Sequence, residues 1–136
     1  MAIIEKKIKL TGSKGAQEAI VLFDSGSSYS CIRPELARAL GHLEKLPAPK
    51  RFGTAERGRS VEARQAIRLD FRLNGFTLSD EFMVVSGLTE AAIIGATTLQ
   101  KWRMKLDFEH DKVIVDPRVA KLRLLSAGRQ TARRTA

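Results

Sequence analysis

The chemistry in this chain turns on one carboxylate. Asp24 follows the apolar run Val21-Leu22-Phe23 and opens the segment Ser25-Gly26-Ser27-Ser28, so an acid ends what reads as a core strand and starts a turn. Buried alone and ionised it would be costly, so it must be paired, hydrogen-bonded or engaged in a reaction. Asp-Ser-Gly by itself is common turn material, and it gains meaning only from the order of features downstream of it. Ile93-Ile94-Gly95 later repeats the theme of an apolar run meeting a glycine before a short helical segment. Other reactive side chains are sparse. His42, His110 and Cys31 offer three potential ligands, one short of a four-coordinate structural zinc, and read as surface or core residues. Asp107 and Asp111 sit in alternating hairpin sequence and suit a solvated face better than a glycosidase-like pairing with Asp24. No metal and no cofactor are expected.

The elements that must position Asp24 can be read from periodicity. Residues 2–10 and 16–23 are predicted strands joined by the turn-rich Thr11-Gly12-Ser13-Lys14-Gly15, the second nearly continuous in apolar residues and expected to be buried on both faces. Pro34, Glu35 and Gly41 punctuate a two-turn helix. Residues 42–50, with Pro47 and Pro49, read as a connector, and residues 51–64 as two extended arms around a polar tip. Ile67, Leu69, Phe71 and Leu73 alternate with polar residues and turn at Asn74-Gly75, a strong hairpin signal. A second short helix, which Thr97 or Thr98 would cap, precedes a closing hairpin over residues 103–117. Seven or so strands, two short helices and no βαβ rhythm predict a mostly antiparallel β domain.

The chain has 136 residues, 24 basic and 15 acidic, for a net charge of +9. That length suits a single domain. Residues 118–136 hold six of the basic residues and no acid, so a domain over 1–117 with a basic, flexible tail over 118–136 is expected. Composition favours a solvated tail over contact with nucleic acid. A single cysteine precludes an internal disulfide. The early charges of the N-terminus fit no secretory signal, and no window is apolar enough to span a membrane, so a cytoplasmic location without membrane contact is expected.

The ordered series of strand, Asp24-Ser25-Gly26-Ser27, short helix, projecting hairpin, Asn-Gly hairpin, Ile93-Ile94-Gly95 and second helix resembles the retropepsin-like aspartic proteases, over roughly residues 16–116. The resemblance implies a single-lobe, barrel-like β fold and an aspartic endopeptidase acting on peptide or protein substrates. With one Asp-Ser-Gly per chain, it implies a homodimer in which two Asp24 carboxylates share one proton and activate water. It assigns Ser25 a hydrogen bond across the dimer, Gly26 the tight turn and Ser27 the family's small residue. Ile93, Ile94 and Gly95 would pack behind the catalytic loop. Thr54, Ala55, Glu56, Arg57 and Gly58 would form the flap over substrate, with a more charged tip than viral members carry. The alternative is a dimerisation or peptide-binding module that keeps the fold without turnover, tethered to nucleic acid by its tail.

Overall fold

A computed structural model describes residues 3–54, 59–119 and 121. In chain order it contains β1 (Ile4–Gly12), β2 (Gly15–Phe23), β3 (Cys31–Ile32), α1 (Pro34–Leu40), β4 (Glu44–Thr54), β5 (Arg59–Leu73), β6 (Phe76–Val84), β7 (Ala92–Ile94), α2 (Ala96–Lys101), β8 (Lys105–Asp107) and β9 (Lys112–Ile114). The first seven strands form one sheet ordered β1-β2-β7-β3-β6-β5-β4. β5 also pairs with β1 at Leu10↔Phe71 and Thr11↔Asp70, which closes six strands into a barrel and leaves β4 on its flank. β8 and β9 make a separate antiparallel pair.

Most pairings are antiparallel, as expected, but β2–β7 and β3–β6 run parallel. These two parallel joints set the site. Period-two alternation divides the apolar residues into two clusters on opposite faces. Val21, Phe23, Ile32, Phe82 and Ile94 join one cluster, in which Phe71 and Phe82 meet edge to face at 6.2 Å. Leu22, Cys31, Met83 and Ile93 join the other, together with Phe52 of β4 and, at its margin, Tyr29.

Asn74 and Gly75 occupy a two-residue turn with φ of 50° and 81°, between paired Leu73 and Phe76, as a hairpin of the primed type requires. Pro34 begins α1, and the Gly41 N–H closes it on the Ala37 carbonyl at 3.0 Å.

Three expectations need correction. The Pro-containing connector is strand: β4 carries both prolines in the interval between Lys45 and Lys50 where its register against β5 shifts. Among the described residues β4 pairs with β5 alone, and an edge strand tolerates prolines that a central strand would reject. The second strand is not buried throughout. Only Val21, Leu22 and Phe23 are enclosed, because β7 pairs with those three residues alone, while Ile20 is 50% exposed. Neither Thr97 nor Thr98 caps α2; Gly95 stands at that position without a side-chain cap, and the Thr98 hydroxyl is used elsewhere. Residues 117–119 begin a helical turn, with the Asp116 carboxylate accepting from the Arg118 N–H at 3.0 Å. The rest of the expected tail, 120 and 122–136, lies outside the described residues.

Candidate active site

The two strands that must hold Asp24 end side by side. β2 and β7 run parallel with Phe23 opposite Ile94, and the Asp24 N–H continues the ladder onto the Ile94 carbonyl at 3.0 Å. The chain then turns at once: the Ser27 N–H returns to the Asp24 carbonyl at 3.1 Å, and the Gly26 N–H donates to Asp24 Oδ1 at 2.8 Å. Asp24 is fully buried, whereas Ser25 and Gly26 lie exposed on the turn. Asp24 Oδ2 is buried too and has no hydrogen-bond partner among the described residues. One carboxylate oxygen is thus held by the backbone and the other is left over, at a strand end beside exposed turn residues. An unsatisfied oxygen of this kind is uncommon in a folded protein and calls for a functional account.

Behind the turn the packing is close. Gly95 has an extended backbone, and its constraint is spatial: a Cβ there would stand 2.5 Å from the Tyr29 carbonyl oxygen and 2.6 Å from that of Ser27. The neighbouring Ala96 N–H donates to the Ser27 carbonyl at 2.7 Å, and the Thr97 N–H to that of Ser28 at 3.2 Å. Ser27 is buried, its hydroxyl donating to the Tyr29 carbonyl at 2.9 Å. Ile93 and Ile94, both buried, carry the strand into this contact. The structure therefore gathers Asp24, Ser25, Gly26, Ser27 and Ile93 to Gly95 into one locus.

The predicted flap is reached only at its stem. β4 and β5 form the hairpin, paired at Phe52↔Val61, Gly53↔Ser60 and Thr54↔Arg59. Ala55, Glu56, Arg57 and Gly58 lie outside the described residues.

Several residues of the locus escaped the sequence reading. Ser30 and Thr98 join hydroxyls at 2.5 Å, and Ser30 Oγ also accepts from the Gly95 N–H at 3.0 Å, so a buried polar tie fastens the turn to α2. Sixty-eight positions separate the pair, and no local pattern announces it. On the other side Tyr29 meets Phe52 edge to face at 5.1 Å, and Lys50 Nζ lies 4.5 Å from the Tyr29 ring centre. The Ser28 N–H faces the Gly53 carbonyl at 3.5 Å, so the hairpin stem rests on the Asp24 turn. Cys31 is buried beneath. Burial pushes its thiol up from 9.0 to about 12, with the Glu90 and Asp24 carboxylates adding to the shift, which makes it a core residue without thiolate chemistry.

No three His, Cys, Asp or Glu side chains cluster as a metal site among the described residues. His42 is exposed, and His110 pairs with Asp107 at 2.8 Å on the surface. A groove of about 580 Å³ adjoins the turn at Ser25, bounded by α2, β8 and Phe108. A cavity of equal volume beside Thr11, His42 and Asp70 contains none of the turn residues.

The arrangement has relatives. The retroviral protease-like domain of Ddi1 from Leishmania major superposes with a TM-score of 0.62 at 19% identity, over 86% of this chain and 90% of that one. At that identity the likeness speaks for the fold. A family model described as aspartyl protease matches residues 8–98, two thirds of the chain, including both the Asp24 turn and Ile93-Ile94-Gly95. By fold and by sequence, this chain belongs to the retropepsin-like aspartic protease family.

Proposed function

We propose that the chain is an aspartic endopeptidase that works as a homodimer, with one Asp24 from each copy. The observation that carries this reading is the half-satisfied carboxylate: Oδ1 is fixed by the Gly26 N–H while Oδ2 has no partner among the described residues. A second Asp24 across a two-fold axis would complete it, since two carboxylates in contact retain one proton between them. Water held by the pair attacks the peptide carbonyl and gives a proton to the ionised Asp24. The protonated Asp24 donates to the carbonyl oxygen, and collapse of the tetrahedral intermediate, with proton return to nitrogen, releases the amine. The chain's own residues supply the framework. Gly26 and Ser27 fix the turn, the exposed Ser25 hydroxyl is free to bond across the axis, and Gly95 admits the close packing behind them.

The flap role of residues 54–58 belongs to this proposal, as does a basic extension over 118–136 on a domain of 1–117. Among the described residues no helix is long and apolar enough to cross a membrane. The single buried Cys31 suits a reducing, cytoplasmic setting. One observation favours the rival reading of a peptide-binding module without turnover: Asp24 has no exposed surface in the isolated chain. Asp24→Asn separates the two. Hydrolysis of a mixed peptide library is expected to disappear while the circular dichroism spectrum and dimer mass are retained; turnover that survives in the purified variant overturns the assignment.

A further inference from the structure

We propose that the groove between β2 and α1 holds the C-terminal end of an extended peptide, added as a strand along the open edge of β2. Its terminal carboxylate lies on Arg33 and a basic side chain lies beside Glu18. The groove contains none of the residues of the Asp24 turn and does not depend on the protease reading. Among the described residues β7 pairs with β2 only at Val21, Leu22 and Phe23, which leaves residues 15–20 with no strand on that side. The β1–β2 hairpin is nevertheless fixed at its tip, where the Lys14 N–H donates to the Leu40 carbonyl at 2.8 Å. A groove of about 400 Å³ follows the open edge, walled by Gln17, Glu18 and Ala19 of β2 and by Leu36 and its neighbours of α1.

The ladder fixes which backbone groups face this groove. The Asp24 N–H reaches across to the Ile94 carbonyl on the β7 side. Alternate residues of a strand direct their polar groups the same way, so Leu22, Ile20 and Glu18 also face that side. The parallel bridge of Val21 to Ala92 uses the Ile20 carbonyl. The Ile20 N–H, and beyond it both the N–H and the C=O of Glu18, have no ladder partner among the described residues. Such an edge is a template for an added strand, whose main chain supplies the missing bonds.

The far end of the groove sets the direction and the terminus. Ala91 lines it immediately before β7, so a peptide lying in the lane of β7 must stop there. Arg33 stands at the same end. Its Nη2 donates to the Thr89 carbonyl at 2.6 Å, its Nε is buried without a hydrogen-bond partner, and no carboxylate pairs with it among the described residues. An unmatched buried donor calls for an acceptor, and a terminal carboxylate supplies one of the opposite charge. An antiparallel peptide would bring an amino terminus to Arg33 instead, so charge selects the parallel direction. In the register of β7 the terminal residue falls opposite Ala19 and the penultimate residue opposite Glu18. Ala19 packs against the core cluster that contains Leu36, which suits a small apolar terminal side chain. Glu18 pairs only with the exposed Lys7, at 3.6 Å, and Glu35 faces it across the groove, which suits Lys or Arg at the penultimate position.

The test is binding of fluorescein-Gly-Ser-Thr-Val-Lys-Ala to the full chain carrying Asp24→Asn, which keeps the probe intact, read by anisotropy. The free acid is expected to bind at least about tenfold more tightly than the C-terminal amide, the worth of a hydrogen bond to a charged group. Arg33→Gln is expected to abolish that difference. Glu18→Lys is expected to shift the preference from Lys to Glu at the penultimate position by about tenfold. Amide proton–nitrogen spectra need neither of these two variants: the probe is expected to move the Glu18 and Ile20 signals most. Equal affinity for acid and amide, equal binding of a probe extended by two residues past the alanine, or no binding at millimolar probe overturns the proposal. Signals that move at Ser25 and Gly26 instead place the peptide at the Asp24 turn and overturn it as well.

Discussion

Gly95→Ala tests whether the Asp24 turn is held by close packing from behind. The added Cβ would lie 2.5 Å from the Tyr29 carbonyl oxygen and 2.6 Å from the Ser27 carbonyl oxygen and the Tyr29 carbonyl carbon. All three are backbone atoms, so no side-chain rotation relieves the contact. Overpacking of this sort costs about 1–3 kcal/mol. Movement of the turn would also strain the Ala96 N–H to Ser27 bond and the Gly95 N–H to Ser30 bond, each contributing about 1 kcal/mol. A loss of about 3 kcal/mol is expected. For a chain of 136 residues, an unfolding entropy of about 2.1 cal/mol/K per residue converts this to a fall of roughly 10 °C in Tm. Urea unfolding and calorimetry would measure it, with Gly53→Ala as the control, since a Cβ at Gly53 meets nothing within 4 Å. A Gly95→Ala protein within about 0.5 kcal/mol of wild type would refute the packing argument.

The remaining predictions concern neighbouring residues. Tyr29→Ala removes the contacts that join the turn to Phe52 and Lys50, and is expected to speed hydrogen exchange at the Ser28 amide by about tenfold; an unchanged rate would show that Tyr29 does not hold the stem down. For Cys31, the folded pKa lies above the unfolded value, so the unfolded chain loses its proton first and stability falls as pH rises from 9 towards 12, by up to about 4 kcal/mol. That extra slope should vanish in Cys31→Ala, and iodoacetamide should label the thiol only after unfolding. Peptide hydrolysis is expected to be fastest on the acidic side of neutrality, where the dyad keeps its one proton; a rate that climbs steadily from pH 5 to 9 would count against it. Truncation at residue 117 should abolish any nucleic-acid binding, which would otherwise weaken steeply with salt; salt-independent binding by the truncated chain would place that contact elsewhere.

Local chemistry made much of this architecture legible, and the failures share a physical cause. Asn74-Gly75 demanded a primed turn and formed one, and Pro34 and Gly41 marked both ends of α1. In each case the determinant lies within a few residues of its effect. Pro47 and Pro49 misled because their cost depends on whether β4 is an edge or a central strand, which only the sheet order decides. The exposure of Ile20 likewise depends on where β7 stops pairing with β2. Asp24 and Gly95 were recognisable because the motif ties them to the chain around them. Ser30 and Thr98 were not, since either hydroxyl alone fits a turn or a cap and their bond exists only once the barrel has closed.

The shared dyad can be measured most directly by subunit mixing. Wild-type chains are titrated with Asp24→Asn chains at fixed wild-type concentration, after exchange has reached equilibrium, and peptide hydrolysis is followed per wild-type chain. If each active site needs one Asp24 from each copy and the two chains pair at random, heterodimers are inactive and activity per wild-type chain falls in proportion to the wild-type fraction. Activity that stays constant across the titration, with heterodimers shown to form, would contradict the account and place a complete site within one chain.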